Sequence, residues 1–149
     1  MVPMPINDFA DQINEIAPAI MRDLAKRQVC ELFKGRITLP QLLVLDFLDA
    51  KGASKMKDLA LFMNVSTAAV TGIVERLVRD NYVSRSYDPG DRRIIRVNLT
   101  NKGSELFKKI NRERRQIIVK IFSKISEADR QNYLRILLKI KEILAKGKC

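Results

Sequence analysis

The chain has 149 residues, a length that suits one compact domain or a small domain with helical extensions. Hydrophobic residues make up 46% and charged residues 30%, a composition that disfavours a disordered chain. It has 28 Lys and Arg against 17 Asp and Glu, a net charge of +11, and no His or Trp. The absence of His excludes His-based acid–base catalysis and most mixed-ligand zinc sites. Two cysteines, Cys30 and Cys149, form neither a four-thiolate zinc site nor a disulfide scaffold. We therefore expect no metal and no cofactor.

The distribution of charge and the lack of a secretion or membrane signal indicate which kinds of partner the chain can bind. Met1–Gln12 lacks the basic and apolar segments of a secretion signal, and the apolar stretch Leu39–Leu48 is too short to span a bilayer. We expect a cytoplasmic protein without a membrane partner. The net charge is −2 over residues 1–50, +5 over 51–103 and +8 over 104–149. This asymmetry favours a nucleic-acid partner, although Lys-rich solvated helix faces would give the same charge.

The first part of the chain predicts two helices. Apolar residues recur near a 3.6-residue period from Phe9 to Phe33, which predicts one long amphipathic helix with a bend at Pro18. Thr38 and Gln41 form a capping-box pattern that opens a second helix, and Gly52 ends it.

Two shorter helices separated by a turn follow. We expect Ser54 to cap a third helix, Asn64–Ser66 to form a tight turn, and Ser66 to cap a fourth helix from Thr67 to about Asp80. Asn81 suits the left-handed conformation that ends such a helix. The predicted inward face of the fourth helix consists of Val70, Ile73, Val74 and Leu77.

The pattern then changes to that of strands. Val83–Ser86 and Ile94–Thr100 are predicted strands joined by a turn at Asp88–Asp91. Thr100 and Ser126 are expected to cap a fifth and a sixth amphipathic helix. The predicted fold is mainly α-helical with one small β-hairpin.

The fourth helix and the hairpin carry residues suited to DNA. In a helix-turn-helix, side chains near the N-terminus of the second helix reach base edges in the major groove. The outward residues there are small or bear hydroxyls: Ser66, Thr67, Ala68, Thr71 and Gly72. Arg76 and Arg79 suit phosphate contact, and Arg92 and Arg93 at the hairpin tip suit a narrow minor groove. The alternatives are solvated charges at the arginines and an ordinary surface role for Thr71.

Two stretches of the chain resemble the MarR-type winged helix-turn-helix regulators. Val65–Leu77 is similar to the recognition helix of that family, and Asp88–Gly103 is similar to its wing. The specific part of the wing is D-x-R at Asp91 and Arg93, followed by L-T-x-x-G at Leu99–Gly103. The resemblance as a whole covers about residues 38–103, and Asn81 departs from the Gly that is usual after the recognition helix.

The resemblance implies a homodimer on an inverted-repeat DNA operator. It divides the chain into an N-terminal dimerisation helix (1–36), a winged helix-turn-helix DNA-binding domain (37–103) and C-terminal dimerisation helices (104–149). Carried over by position, Arg93 reads the minor groove, and Asp91 holds the wing by pairing with a basic neighbour.

The resemblance also implies two modes of regulation. Relatives often bind amphipathic, frequently phenolic acids, and the candidate lining residues here are Leu42, Leu45, Met56, Met63 and Phe107. The same residues serve equally well as core. Some relatives sense oxidants through a first-helix cysteine, which makes Cys30 a redox candidate; a small core residue is the alternative.

The leading hypothesis is a homodimeric, sequence-specific regulator of transcription that binds double-stranded DNA, a repressor relieved by a small aromatic or amphipathic ligand. A redox-sensing regulator and a winged helix that docks RNA or protein remain alternatives. An aromatic content of only 6% disfavours RNA reading, which relies on stacking. The sequence offers no nucleophile–base pair or phosphate loop, so we expect no enzyme.

Overall fold

A computed structural model describes residues 2–26 and 35–147 of the chain. Within these ranges lie six α-helices and three short strands. Their bounds are α1 Ile6–Lys26, α2 Leu39–Lys51, β1 Ser54–Lys55, α3 Met56–Met63, α4 Thr67–Arg79, β2 Val83–Tyr87, β3 Ile95–Leu99, α5 Asn101–Phe122 and α6 Glu127–Lys146. The predicted mainly α-helical fold is confirmed, whereas the predicted extension of the first helix through Cys30 to Phe33 lies outside the described residues.

Most helix starts follow the predicted capping signals. The Thr38 hydroxyl accepts from the Gln41 amide N at 3.4 Å, while Gln41 Oε1 accepts from the Thr38 amide N at 2.8 Å, which completes a capping box. Ser66 caps α4 and Ser126 caps α6 through hydroxyls that accept amide N–H groups three residues ahead. At the other end of α2, Gly52 has φ 75° and caps the helix, a conformation that glycine adopts without strain.

The predicted cap at Ser54 is wrong. Ser54 lies in β1 opposite Val97 of β3, and its hydroxyl donates to the Gly52 carbonyl at 2.9 Å. Lys55 occupies the N-cap position of α3, without a side-chain capping bond. Strand pairing with a distant segment therefore determines the conformation of Ser54, and the local capping pattern does not.

The three strands form one antiparallel sheet in the order β1-β3-β2. The predicted hairpin is confirmed, with Val83 opposite Leu99 and Tyr87 opposite Ile95. Each strand differs from its prediction by one residue at one or both ends. The missed element is β1, because a two-residue strand leaves no periodic signal in sequence.

One apolar core joins α2, α3, α4, the sheet and the start of α5. Its fully buried large side chains include Leu45, Leu59, Leu77, Ile110, Val70, Val74 and Val97. The predicted inward residue Ile73 is half-buried and packs against this core. Because α2 and α3 cover one side of α4, the other side of α4 is left for solvent.

Two helices expose most of their apolar side chains within the chain. In α1, Phe9, Ile13, Ile16 and Ile20 are each about half exposed. In α6 no residue is buried, and eight large hydrophobic side chains from Tyr133 to Leu144 are exposed. The chain divides into two compact units, one ending at Asn111 and one beginning at Arg112; α1 belongs to the first and α6 to the second.

No single helix in the described part of the chain is both long and apolar enough to cross a membrane. Helices α3 and α4 reach that threshold only when counted together, and a bend of 109° separates them.

Candidate nucleic-acid interface

The turn between α3 and α4 orients the fourth helix. Asn64 ends α3 in the left-handed conformation, at φ 53°, which Asn tolerates better than other side-chain-bearing residues. The Val65 amide N donates to the Ala60 carbonyl at 3.1 Å, and the Ser66 hydroxyl accepts from the Ala69 amide N at 3.1 Å. The resulting 109° bend between α3 and α4 matches the geometry of a helix-turn-helix.

Helix α4 has one buried face and one exposed face. Val70, Val74 and Leu77 are fully buried. The predicted contact residues all lie on the other side, where Thr71 is half-buried and the rest are exposed: Ser66, Thr67, Ala68, Gly72, Arg76 and Arg79. The structure thus brings these residues together on one accessible surface.

Two hydroxyls on this surface already make internal hydrogen bonds. The Thr71 hydroxyl donates to the Thr67 carbonyl at 2.8 Å, which leaves its oxygen lone pairs able to accept a further bond. The Ser66 hydroxyl serves as the N-cap, so a substitution there destabilises α4 as well. A Cβ built at Gly72 meets no atom within 4 Å, so packing inside the chain does not require glycine at this position.

Two aspartates organise the tip of the hairpin. Asp88 Oδ1 accepts from the Gly90 amide N at 2.8 Å, and Asp91 Oδ1 accepts from the Arg93 amide N at 2.9 Å. Asp91 also pairs with the Arg93 guanidinium at 3.6 Å, although the Arg93 side chain is 94% exposed. The tip therefore has a defined backbone and projects Arg93 into solvent. Arg92 is exposed beside it.

A second ion pair of the wing, between Asp88 and Arg96, is less exposed than the Asp91–Arg93 pair and was missed by sequence reasoning. The Oδ2 atom of Asp88 lies 2.5 Å from Arg96 Nε, and Arg96 Nη1 also donates to the Ala53 carbonyl at 3.5 Å. The backbone N–H of Gly90 and then the hydrogen bond from Arg96 lower the pKa of Asp88, against a smaller opposing effect of desolvation. Only the strand register brings residues 88 and 96 together, so no local signal could have identified the pair.

The L-T-x-x-G segment fastens the end of the wing to the start of α5. The Thr100 hydroxyl accepts from the Gly103 amide N at 3.0 Å and donates to the carbonyls of Asn81 and Tyr82. Gly103 lies so close to Tyr82 that a built Cβ would approach its carbonyl oxygen to 1.9 Å. Asn81 adopts the predicted left-handed conformation, at φ 62°. The motif is therefore a packing device that fixes the wing at its base.

The residues predicted to line an effector pocket lie in or beside the core. Leu42, Leu45 and Phe107 are buried, and Met56 and Met63 pack against the same cluster. All five side chains therefore take part in packing within the chain. The redox candidate Cys30 lies outside the described residues. Across residues 2–26 and 35–147, no group of three or more acidic or cysteine side chains could hold a metal ion.

The assembled surface is suited to a polyanion. Arg76, Arg79, Arg92 and Arg93 are exposed on α4 and at the wing tip, and the only carboxylate partners found for them among the described residues are Asp80 and Asp91. Long cationic side chains beside small hydroxyl-bearing ones provide phosphate contacts together with base-edge donors and acceptors.

Comparison with known proteins identifies the family. The sequence profile of the MarR family matches residues 37–95. The chain is similar to the HTH-type transcriptional repressor MdtR of Bacillus subtilis, with 30% identity over 105 residues, which cover 70% of this chain and 68% of MdtR.

Solved structures share the fold of this chain. The crystal structure of the YusO protein from Bacillus subtilis has 26% identity and a TM-score of 0.75, covering 93% of this chain and 99% of that one. FabT of Streptococcus pneumoniae, solved in complex with DNA, shares the fold at 21% identity and a TM-score of 0.78, covering 92% of this chain and 98% of its own. The chain therefore belongs to the MarR family: it is a transcriptional regulator that binds DNA through a winged helix, and not an enzyme.

Proposed function

We propose that the chain is a homodimeric repressor that reads a specific inverted-repeat operator in double-stranded DNA. In this mechanism α4 enters the major groove, and Arg93 at the wing tip enters the adjacent minor groove. The supporting observation is the division of α4 into a buried apolar face and an exposed face of small, hydroxyl-bearing and Arg side chains. Small residues allow the helix to approach base edges closely.

We assign the reading of base edges to the N-terminal half of α4. We assign the positioning of the protein on the DNA backbone to Arg76 and Arg79 of the same helix. Thr67, Ala68, Thr71 and Gly72 lie where side chains reach base edges in a helix-turn-helix. Arg76 and Arg79 lie one and two turns further along, where they meet phosphates. Phosphate contacts set register and affinity, whereas base contacts set sequence preference.

The apolar surfaces of α1 and α6 support the homodimer. Phe9, Ile13, Ile16 and Ile20 share one exposed side of α1, and α6 has no buried residue. Exposed apolar areas of this extent mark surfaces that another protein covers. We assign residues 1–36 and 104–149 to dimerisation and 37–103 to DNA binding. A twofold dimer places two α4 helices on half-sites about 34 Å apart, one turn of DNA.

In this proposal, repression follows from occupancy of promoter DNA in the cytoplasm. The relative MdtR is named a transcriptional repressor, which supports this direction of regulation. Relief by a small amphipathic ligand requires space among Leu42, Leu45 and Phe107, which are buried at 5%, 0% and 4% exposure. The ligand would therefore have to open this core or use the surface beside it. Adding a hydroxybenzoic acid to the DNA complex and measuring dissociation tests this step.

The operator proposal is tested by selection from random double-stranded DNA at near-physiological salt, followed by sequencing. We expect enrichment of an inverted repeat with half-site centres about 10 base pairs apart. Binding without enrichment, with affinity that falls steeply as salt increases, would instead show a purely electrostatic DNA binder.

Two variants separate the proposed roles. Arg93→Ala should weaken binding while the protein stays folded, because this side chain is 94% exposed. Thr71→Val should change which bases are enriched more than it changes the dependence on salt. Unchanged affinity and preference in both variants would contradict the assignment of α4 and the wing to DNA.

A further inference from the structure

The outer half of the wing exposes an apolar pair that the DNA contacts described above do not use. Tyr87 at the end of β2 lies opposite Ile95 at the start of β3. Tyr87 is 68% exposed and Ile95 is 42% exposed. Such a cross-strand pair stabilises the hairpin, but both side chains still leave a large part of their apolar surface in solvent.

The strand register shows which face of the sheet carries this pair. Side chains alternate along a strand, so Tyr87 shares its face with Arg85 and with the buried Val83. Arg85 on this face pairs with Glu75 of α4 at 3.9 Å. The Tyr87–Ile95 pair therefore continues the face that packs toward α4, beyond the point where α4 covers it.

The opposite face of the hairpin is polar. There Asn98 Nδ2 donates to the Ser86 hydroxyl at 3.0 Å, and Arg96 pairs with Asp88. The contrast between the two faces shows that the apolar pair is confined to the side of the wing next to the recognition helix.

Tyr87 lines two open hollows. One is lined by Arg85, Ser86, Tyr87 and Ile95, and the other by Tyr87, Asp88, Pro89 and Arg92. The two hollows therefore share Tyr87, and each has one Arg among its lining residues.

We propose that Tyr87 and Ile95 form a seat for the sugar-phosphate backbone of DNA, on the strand that separates the major groove occupied by α4 from the minor groove occupied by the wing tip. The Ile95 side chain and the Tyr87 ring pack on deoxyribose carbons, and the Tyr87 hydroxyl donates to a phosphate oxygen. Arg92 supplies the complementary charge. This inference rests on the proposed placement of α4 and the wing, because the seat is continuous with that surface.

The chemistry of the seat fits this occupant better than a base edge. A backbone strand presents apolar sugar carbons alternating with anionic oxygens, which matches an apolar pair flanked by a phenol and a guanidinium. Such a contact fixes the register of the wing and is independent of base sequence. Removing it should therefore lower affinity for specific and mixed-sequence DNA alike.

The test uses Tyr87→Phe, which removes only the hydroxyl, and Ile95→Thr, which keeps a β-branched strand residue. Ser84→Ala is the matched control, because Ser84 is exposed on the opposite face of the same strand. Each full-length variant is titrated with the duplex enriched by selection and with a mixed-sequence duplex at low salt, and phosphate ethylation interference is mapped on the complexes.

We expect Tyr87→Phe to weaken binding of both duplexes by about 10- to 100-fold, as loss of one hydrogen bond to a charged phosphate implies. We also expect it to remove one ethylation-sensitive phosphate per half-site. The dependence on salt should stay unchanged, since the phenol displaces no counterion, whereas Arg93→Ala should reduce that slope by about 1. Ile95→Thr should weaken binding, and Ser84→Ala should bind as the unmodified protein does.

Wild-type affinity and an unchanged interference pattern in Tyr87→Phe and Ile95→Thr, with weak binding by Arg93→Ala, would refute the seat while leaving the proposed function intact. Unchanged binding in all three would refute the proposed function itself. A change of oligomeric state in Ile95→Thr would show that a second copy of the chain covers the pair, and would overturn the inference.

Discussion

Replacing Gly103 with alanine tests whether the close approach of α5 to the wing base holds the DNA-binding unit together. A methyl group at this position would lie 1.9 Å from the Tyr82 carbonyl oxygen and 2.9 Å from its carbonyl carbon, whereas ordinary contact begins near 3.4 Å. The first turn of α5 and the Tyr82 backbone must therefore separate by about 1.5 Å. The obstacle is backbone, so no side-chain rotation relieves the overlap.

This separation would also break the bonds that Thr100 makes at the same place. Its amide N donates to the Tyr82 carbonyl at 3.1 Å, and its hydroxyl caps α5 by accepting from the amide N of residue 103. Overpacking typically costs about 1–3 kcal/mol and loss of a cap about 1 kcal/mol. The Gly103→Ala variant should then be destabilised by about 2–4 kcal/mol, with a Tm lower by roughly 5–15 °C.

The assay is thermal and urea unfolding followed by circular dichroism at a fixed protein concentration, because association raises apparent stability. Gly72→Ala is the matched control. A Cβ there meets nothing within 4 Å, so replacing glycine inside α4 should stabilise the protein by about 0.5–1 kcal/mol. If Gly103→Ala melts within about 2 °C of the unmodified protein, the close approach is not needed for stability and the reasoning is refuted.

Three further outcomes are expected. In Asp88→Asn the stability should be lower than that of the unmodified protein at neutral pH; because the folded pKa of Asp88 is lowered from 3.8, this difference should persist above that pH and vanish as pH falls through the folded pKa. Acid titration of both proteins by circular dichroism measures it, and a pH-independent difference would contradict the ion pair with Arg96. Leu137→Asp, on the exposed side of α6, should shift sedimentation toward the monomer and lower DNA affinity, and a persisting dimer would place the interface elsewhere. One experiment should distinguish the roles of Arg93 in the wing and Thr71 in α4. Arg93→Ala should reduce the salt dependence of DNA affinity, and Thr71→Val should change the enriched bases; the reverse pattern would exchange their roles.

Local signals predicted the helices and the hairpin well. The hydroxyl caps at Thr38, Ser66 and Ser126 form as expected, because a cap depends on only three or four consecutive residues. Asn81 has the positive φ expected of it. The exposed face of α4 also follows from its 3.6-residue period.

Features that depend on distant pairing could not be predicted. Ser54 has the local pattern of a cap, but its pairing with Val97 draws it into a strand. The Arg96–Asp88 ion pair and the Tyr87–Ile95 pair exist because of the strand register, which the sequence specifies only through the completed sheet. The parts of the candidate interface found from sequence are therefore those on a helix or a tight turn.

The burial of Phe107 and Ile110 has a consequence for exchanging DNA-binding modules between regulators of this kind. The wing ends at Leu99, and a cut near residue 103 would look natural from the sequence. Such a cut would remove two side chains from the core and leave a cavity in it. A DNA-binding module that is moved to another regulator must therefore include the first three turns of α5. A graft joined after Ile110 should fold, whereas one joined at Gly103 should not.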